Sequence, residues 1–105
     1  MENAAVTATV TTRDNAELSR IDALVDGALV GFAAYELCDD GVYSFHHTEV
    51  FEGNEGRGLG QQLAEGVMAF AREQGIKIHP SCSFLASYVR KHPEHRELMD
   101  PKFEL

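Results

Sequence analysis

Along the first half of this chain apolar and polar residues alternate with a period of two; along the second half the period lengthens to that of a helix. Val6, Ala8 and Val10 alternate with threonines, which predicts a strand over 6–13, with Asp14-Asn15 as the next turn and residues 1–5 frayed. Leu18 to Val25 alternates again, with Ile21, Ala23 and Val25 on one face and Arg20, Asp22 and Asp26 largely on the other, as in a half-exposed strand. Asp26-Gly27 is a dipeptide favoured in two-residue hairpins. Ala28 to Cys38 is apolar on both faces, which predicts a central strand with Cys38 as a core thiol. Asp39-Asp40-Gly41 supplies a turn before a strand over Val42 to Val50.

The period then changes. Leu59, Leu63, Val67, Phe70 and Ala71 form one helical stripe, and Gly75 is a natural stop. Ile76 to His79 predicts a short strand ended by Pro80, and Ser83 to Lys91 a second helix with Leu85, Tyr88, Val89 and His92 toward the core, closed by Pro93. Beyond Glu94 the chain is polar, with a short turn at Leu98-Met99. A strand, a helix and a strand joined by short links make a right-handed crossover between parallel strands. The predicted class is α+β: an antiparallel strand meander leading into a β-α-β crossover plus a C-terminal helix, in a single domain over 1–105.

Composition narrows the function. The chain has 105 residues, 44% hydrophobic and 25% charged, which is ordinary soluble composition with enough apolar residues for one small core. No apolar run is long enough to span a bilayer, and no basic segment followed by an apolar one opens the chain. Cys38 and Cys82 lack metal-like spacing, so they read as reduced thiols of a cytoplasmic protein. His46, His47, His79, His92 and His95 form no zinc pattern, and no metal is expected. A net charge of −8 argues against nucleic acid, whose binding needs a basic surface. It suits a cationic acceptor such as an amine.

Between strand and helix lie Gly53, Gly56, Gly58 and Gly60. A glycine-rich turn entering a helix holds phosphate well, because the backbone can approach closely and the first-turn N–H groups point at the anion. The dinucleotide fingerprint fails in both frames, since the sixth position is Leu63 from Gly58 and Gln61 from Gly56. A P-loop fails as well, because Gly58 is followed by Leu59-Gly60. Glu52 and Glu55 flank the turn and oppose an anion, but screening over ~8 Å confines the effect to near neighbours, and Arg57 is the counter-charge. The plain alternative is a turn whose glycines serve conformation only.

The crossover brings Pro80-Ser81-Cys82-Ser83-Phe84 to the same sheet rim as the glycines. Cys82 falls at or just before a helix N-terminus, where the dipole favours a thiolate; alternatively it is a structural cysteine at a strand end. His47 and Glu49 share a strand face and are candidate bases, each with a bland reading as a sheet histidine or a solvated carboxylate. Tyr88 is a candidate proton donor or an aromatic packed in the core.

His47-Thr48-Glu49-Val50, Glu55-Gly56-Arg57-Gly58-Leu59-Gly60, Pro80 to Phe84, Tyr88 and His92-Pro93, in this order, resemble minimal members of the GCN5-related N-acetyltransferases (GNAT) over about Leu18 to Met99. The resemblance implies a truncated GNAT fold that takes acetyl-CoA, and CoA after transfer, in a splayed gap between the strands at Val50 and Ile76. Asn54, Glu55, Gly56, Arg57, Gly58, Leu59, Gly60 and Gln61 would surround the diphosphate, and the backbone of Thr48, Val50 and Phe51 would pair with the pantetheine amides. Cys82 would act at the thioester, with His47 or Glu49 as base and Tyr88 as a further candidate. Glu55 departs from the family, which usually has Gln or Arg there.

The implied activity is acetyl transfer from acetyl-CoA to an amine, on a small molecule or on a protein lysine or N-terminus. Larger members wall the acceptor side with N-terminal helices where this chain has strands. That leaves two other readings open: a non-catalytic CoA or acyl-CoA binding or sensing module, and an interaction domain that binds no CoA. A monomer, or a weak homodimer through an exposed edge strand, is expected.

Overall fold

The computed structural model describes residues 9–54 and 58–103. Four strands follow one another as an antiparallel meander: β1 (Thr11–Asn15), β2 (Arg20–Val25), β3 (Ala28–Leu37) and β4 (Tyr43–Val50). Helix α1 (Leu59–Gln74) then crosses to β5 (Ile78–Pro80), which lies parallel to β4 and completes a five-stranded sheet in sequence order. Helix α2 (Ser83–Lys91) and a 3₁₀ helix over Pro93–Leu98 follow. This is the α+β meander and crossover that the residue pattern predicts. Among the described residues no helix is long and apolar enough to cross a membrane.

The helices cover one face of the sheet. Ile21, Ala23, Ala33, Tyr35 and Phe45 meet Leu59, Leu63, Ala64, Val67, Met68 and Ala71 of α1 and Leu85 and Val89 of α2. The expected helical stripe is therefore the buried one, except that Phe70 is half-buried and stacks near Tyr35. Gly58 and Gly75 bound α1 with φ of 73° and 67°, left-handed values that glycine adopts without a Cβ penalty. The hairpin at Asp26-Gly27 also forms as expected, with both residues at positive φ.

Several boundaries move. Within the described residues β1 starts at Thr11, and it absorbs Asp14 and Asn15, the expected turn. Their side chains explain why: Asp14 accepts the Tyr35 hydroxyl at 2.7 Å, and Asn15 donates to Asp22 at 3.1 Å. The turn falls instead on Ala16 to Ser19, so Leu18 leaves β2 and is exposed. Asp22, expected on the solvated side, is only 2% exposed. Arg20 Nε at 2.6 Å, Arg13 at 3.9 Å and Asn15 roof it over, which is how a carboxylate is tolerated out of water.

β3 is central, but it is fully buried on one face only: Ala33 and Tyr35 lie under the helices, Phe32 and Ala34 are half-buried on the face that no helix covers among the described residues, and Leu37 is exposed at the strand's end. Cys38 is not a core thiol. It follows β3, half-buried, with its sulfur 3.8 Å from the Glu36 carbonyl. β5 begins two residues later than expected, at Ile78. The supposedly polar tail also packs: Leu98 and Met99 are buried, Met99 bridges in parallel to Ile78, and the Asp100 N–H donates to the Ile78 carbonyl at 2.7 Å. That apolar pair covers the edge that a three-residue β5 would leave bare.

Two substitutions probe this packing. A Cβ on Gly31 would sit 2.4 Å from the backbone carbonyl oxygen of Glu49, a group that cannot rotate away. Gly31→Ala is therefore expected to lower stability by about 1–3 kcal/mol in urea unfolding, even though alanine suits a strand interior better than glycine.

The second concerns His95, whose ring lies 5.9 Å from that of Tyr88 and whose Nδ1 is buried with no hydrogen-bond partner among the described residues. Burial lowers its affinity for a proton, with Glu94 and Glu65 opposing and Arg72 and His92 assisting. The unfolded chain then binds more protons than the folded one below the ordinary histidine range, so stability falls as pH drops through that range. His95→Phe keeps a ring and cannot protonate. Between about pH 7.5 and about pH 5 its melting temperature is expected to fall less than that of the parent.

Candidate active site

The pairing of β4 with β5 covers only Tyr43 to Phe45 against Ile78 to Pro80. There the Phe45 carbonyl accepts two N–H groups, from Ser81 at 2.9 Å and Cys82 at 3.1 Å, and the chain turns away into α2. Among the described residues β4 runs on to Val50 with no strand beside it on that side. Its outward N–H and C=O groups form an open edge to which an extended, amide-bearing ligand can add as a strand.

A bulge sets which side chains meet this gap. Ala34 pairs with His47 and Tyr35 with Phe45, so His46 is an extra residue in β4. Phe45 and Thr48, three apart, consequently share the helix-covered face, while His47 and Glu49 share the other. Thr48 Oγ1 lies 3.3 Å from Cys82 Sγ. Cys82 is the N-cap of α2, and its sulfur accepts the Leu85 N–H at 3.5 Å.

The first turns of both helices meet where Phe84 packs against Gly60. A Cβ on Gly60 would be 3.2 Å from the Phe84 ring and 3.9 Å from Val50 Cγ2. Gly60 thus lets α1, α2 and the end of β4 come together. Gly58 caps α1 without a side-chain bond, and no acidic residue stands in the first turn. The N–H groups of Leu59, Gly60 and Gln61 have no acceptor within the helix, and the dipole favours an anion there. Leu59 is buried as the anchor of this turn, while Gln61 is exposed. Before the turn, Gly53 takes φ 92° and the Asn54 N–H donates to the Phe51 carbonyl at 3.1 Å, folding the chain back from β4. Glu55, Gly56 and Arg57 lie outside the described residues.

The remaining candidates are placed apart. His47 Nε2 is 3.3 Å from Glu49 Oε1, both exposed on the open face, with Phe32 5.9 Å from the His47 ring and 6.1 Å from Phe51. They stand across β4 from the Thr48–Cys82 pair. Tyr88 is buried and stacks on His92 at 4.3 Å. Burial, then Glu65 and Glu94, holds its hydroxyl more firmly protonated than usual. Among the described residues no group of three or more His, Cys, Asp or Glu is assembled to hold a metal.

Alternation alone missed the Thr48 hydroxyl, because a bulge is invisible to a period-two count. Phe84 lies on the rim that the sequence predicts, and the structure adds its packing over Gly60; it is 42% exposed, at the second position of α2.

Residues 20–98 match the family described as GCN5-related N-acetyl-transferase, a span that runs from β2 to the end of the 3₁₀ helix. Curated relatives include Protein NATD1 of Mus musculus, 30% identical over 69 residues, covering 64% of this chain and 63% of that protein. Protein NATD1 of Homo sapiens is 30% identical over 69 residues (64% and 61% of the two chains), and that of Xenopus tropicalis 32% over 69 residues (64% and 63%). The match therefore spans a little under two thirds of the length of these relatives. With its meander, crossover and splayed β4–β5 pair, the chain belongs to the GCN5-related N-acetyl-transferase family in a truncated α+β form.

Proposed function

We propose that this protein transfers the acetyl group of acetyl-CoA to an amine, with Cys82 meeting the thioester. The observation that supports this best is the Cys82 sulfur beside Thr48 where the β4–β5 pairing ends, at the cap of the helix whose Phe84 packs against Gly60 of α1. The residues present suit such a ligand. The β4 edge at Thr48, Val50 and Phe51 offers backbone partners to the pantetheine amides. The helix start at Gly58, Leu59, Gly60 and Gln61, together with Asn54, Glu55, Gly56 and Arg57, takes the diphosphate.

In the covalent route the Cys82 thiolate attacks the acetyl carbonyl. A bond forms from its sulfur to the acetyl carbon, the bond from that carbon to the CoA sulfur breaks, and CoA leaves as a thiolate that takes a proton from water. A neutral amine then attacks the acetyl-cysteine, the bond from the acetyl carbon to the Cys82 sulfur breaks, and the Cys82 thiolate is released while the proton lost by the new amide nitrogen passes to water. His47 or Glu49, paired on the open face, removes the proton that the ammonium must lose before attack. Tyr88 is assigned to packing, in keeping with its stack on His92.

The first test is a thermal shift. CoA at about a hundredfold excess over its Kd stabilises the native state by about 2.7 kcal/mol, and no rise in melting temperature at any accessible concentration would remove the proposal. The second is mass spectrometry after incubation with acetyl-CoA and no acceptor. One acetyl group is expected on the peptide carrying Cys82, retained in Cys38→Ala and lost in Cys82→Ala. Undiminished amine acetylation by Cys82→Ala would rule out the cysteine route. A thermal shift without CoA release in the presence of any amine would favour the binding module.

A further inference from the structure

We infer that Thr48 is a positioning residue whose side-chain hydroxyl donates to the Cys82 sulfur and, with the Leu85 N–H, holds that sulfur toward the open edge of β4. The inference rests on the reading of Cys82 as the residue that meets the thioester.

Two independent features converge on this one atom. The first is the bulge at His46. Unbroken alternation from Phe45 would send Thr48 to the face that carries His47 and Glu49; the extra residue returns it to the face of Cys82. The second is the cap. An N-cap position favours Ser, Thr, Asp or Asn, and serines stand on both sides of position 82, yet the chain places a sulfur there. Sulfur is a weak acceptor for the Leu85 N–H at 3.5 Å, so helix capping alone does not account for it.

A sulfur with a negative charge is a strong acceptor and has no proton to give. In that state both neighbours must be donors, the Leu85 N–H along the chain and the Thr48 hydroxyl from across the gap. A valine at position 48 would fill the same space, so the hydroxyl matters only through what it bonds. The half-buried hydroxyl of Thr48 finds its partner in Cys82.

The test uses the full chain with Cys38→Ser, which leaves Cys82 as the only thiol. Iodoacetamide alkylation, in which the Cys82 sulfur displaces iodide, is followed against pH without acetyl-CoA. Thr48→Val and Thr48→Ala are expected to move the profile to higher pH, and Thr48→Ser to restore it. A hydrogen bond to a charged partner is worth about tenfold or more in thiolate population, but the thiolate that remains is the better nucleophile. The net fall in rate near neutral pH is therefore about threefold. Two hydroxyl-free variants are used so that one folded variant suffices, with folding checked by circular dichroism.

Unmoved profiles in Thr48→Val and Thr48→Ala, or a Thr48→Ser profile that matches theirs, would overturn the inference. Because the readout omits acetyl-CoA, the two ideas separate. Moved profiles without acetylation of Cys82 in the parent would sink the acetyl route and keep the role of Thr48. Acetylation of Cys82 with unmoved profiles would do the reverse.

Discussion

The arrangement at the site depends on how β5 leaves the sheet. Ordinary parallel pairing would continue along β4, satisfying its outer N–H and C=O groups one after another. Here the Phe45 carbonyl takes the N–H groups of both Ser81 and Cys82, and that double acceptance turns the chain out of the sheet into α2. Everything downstream follows from the turn. It leaves β4 open from His46 to Val50, puts Cys82 at the cap of α2, and brings Phe84 over Gly60 at the start of α1. A longer β5 would close the gap and carry the sulfur away from it.

The bulge at His46 then divides the labour between the two faces of one strand. Thr48 looks toward the helices and the sulfur, and His47 and Glu49 toward the side that no helix covers among the described residues. In the proposed reaction, a proton acceptor on one face and a nucleophile on the other work together only if the reacting carbon lies in the gap between β4 and α2, reachable from both. The open face is not loose for lack of a helix. Arg20 lies over the Phe32 ring at 4.6 Å and pairs with the buried Asp22, so the surface beside His47 is held by side chains alone.

The sequence made legible those features that depend on local periodicity and on glycine. The crossover, the limits of α1, the Asp26-Gly27 hairpin and the rim shared by the glycines and Cys82 are all read from a period or a backbone constraint. What alternation could not see was anything that depends on a partner far along the chain. Asp14 and Asn15 look like turn residues until Tyr35 and Asp22 claim their side chains. Asp22 looks solvated until two arginines cover it. Leu98 and Met99 look like a stray apolar pair in a polar tail until a short edge strand needs a neighbour. Cys38 looks like core because its strand is apolar on both faces, and only the one-sided placement of the helices shows otherwise. The resemblance to a family added the ligand and the chemistry; periodicity supplied neither.

The charge of the chain opposes the proposed ligand. A chain with net charge −8 is asked to hold a polyanion, and two of its carboxylates flank the glycines in sequence. In the proposed reading the conflict is met by the kind of group that makes contact. Surface carboxylates act through water and salt, and beyond ~8 Å they are largely screened. Backbone N–H groups at a helix start bond the anion directly, without screening, and the first turn of α1 contains no acid to oppose them. In the proposed reading, binding by amide hydrogens needs no basic patch, so the chain keeps its net charge of −8. A cationic amine approaching His47 and Glu49 from the open face would then be drawn toward the protein, while its neutral acetylated product would not.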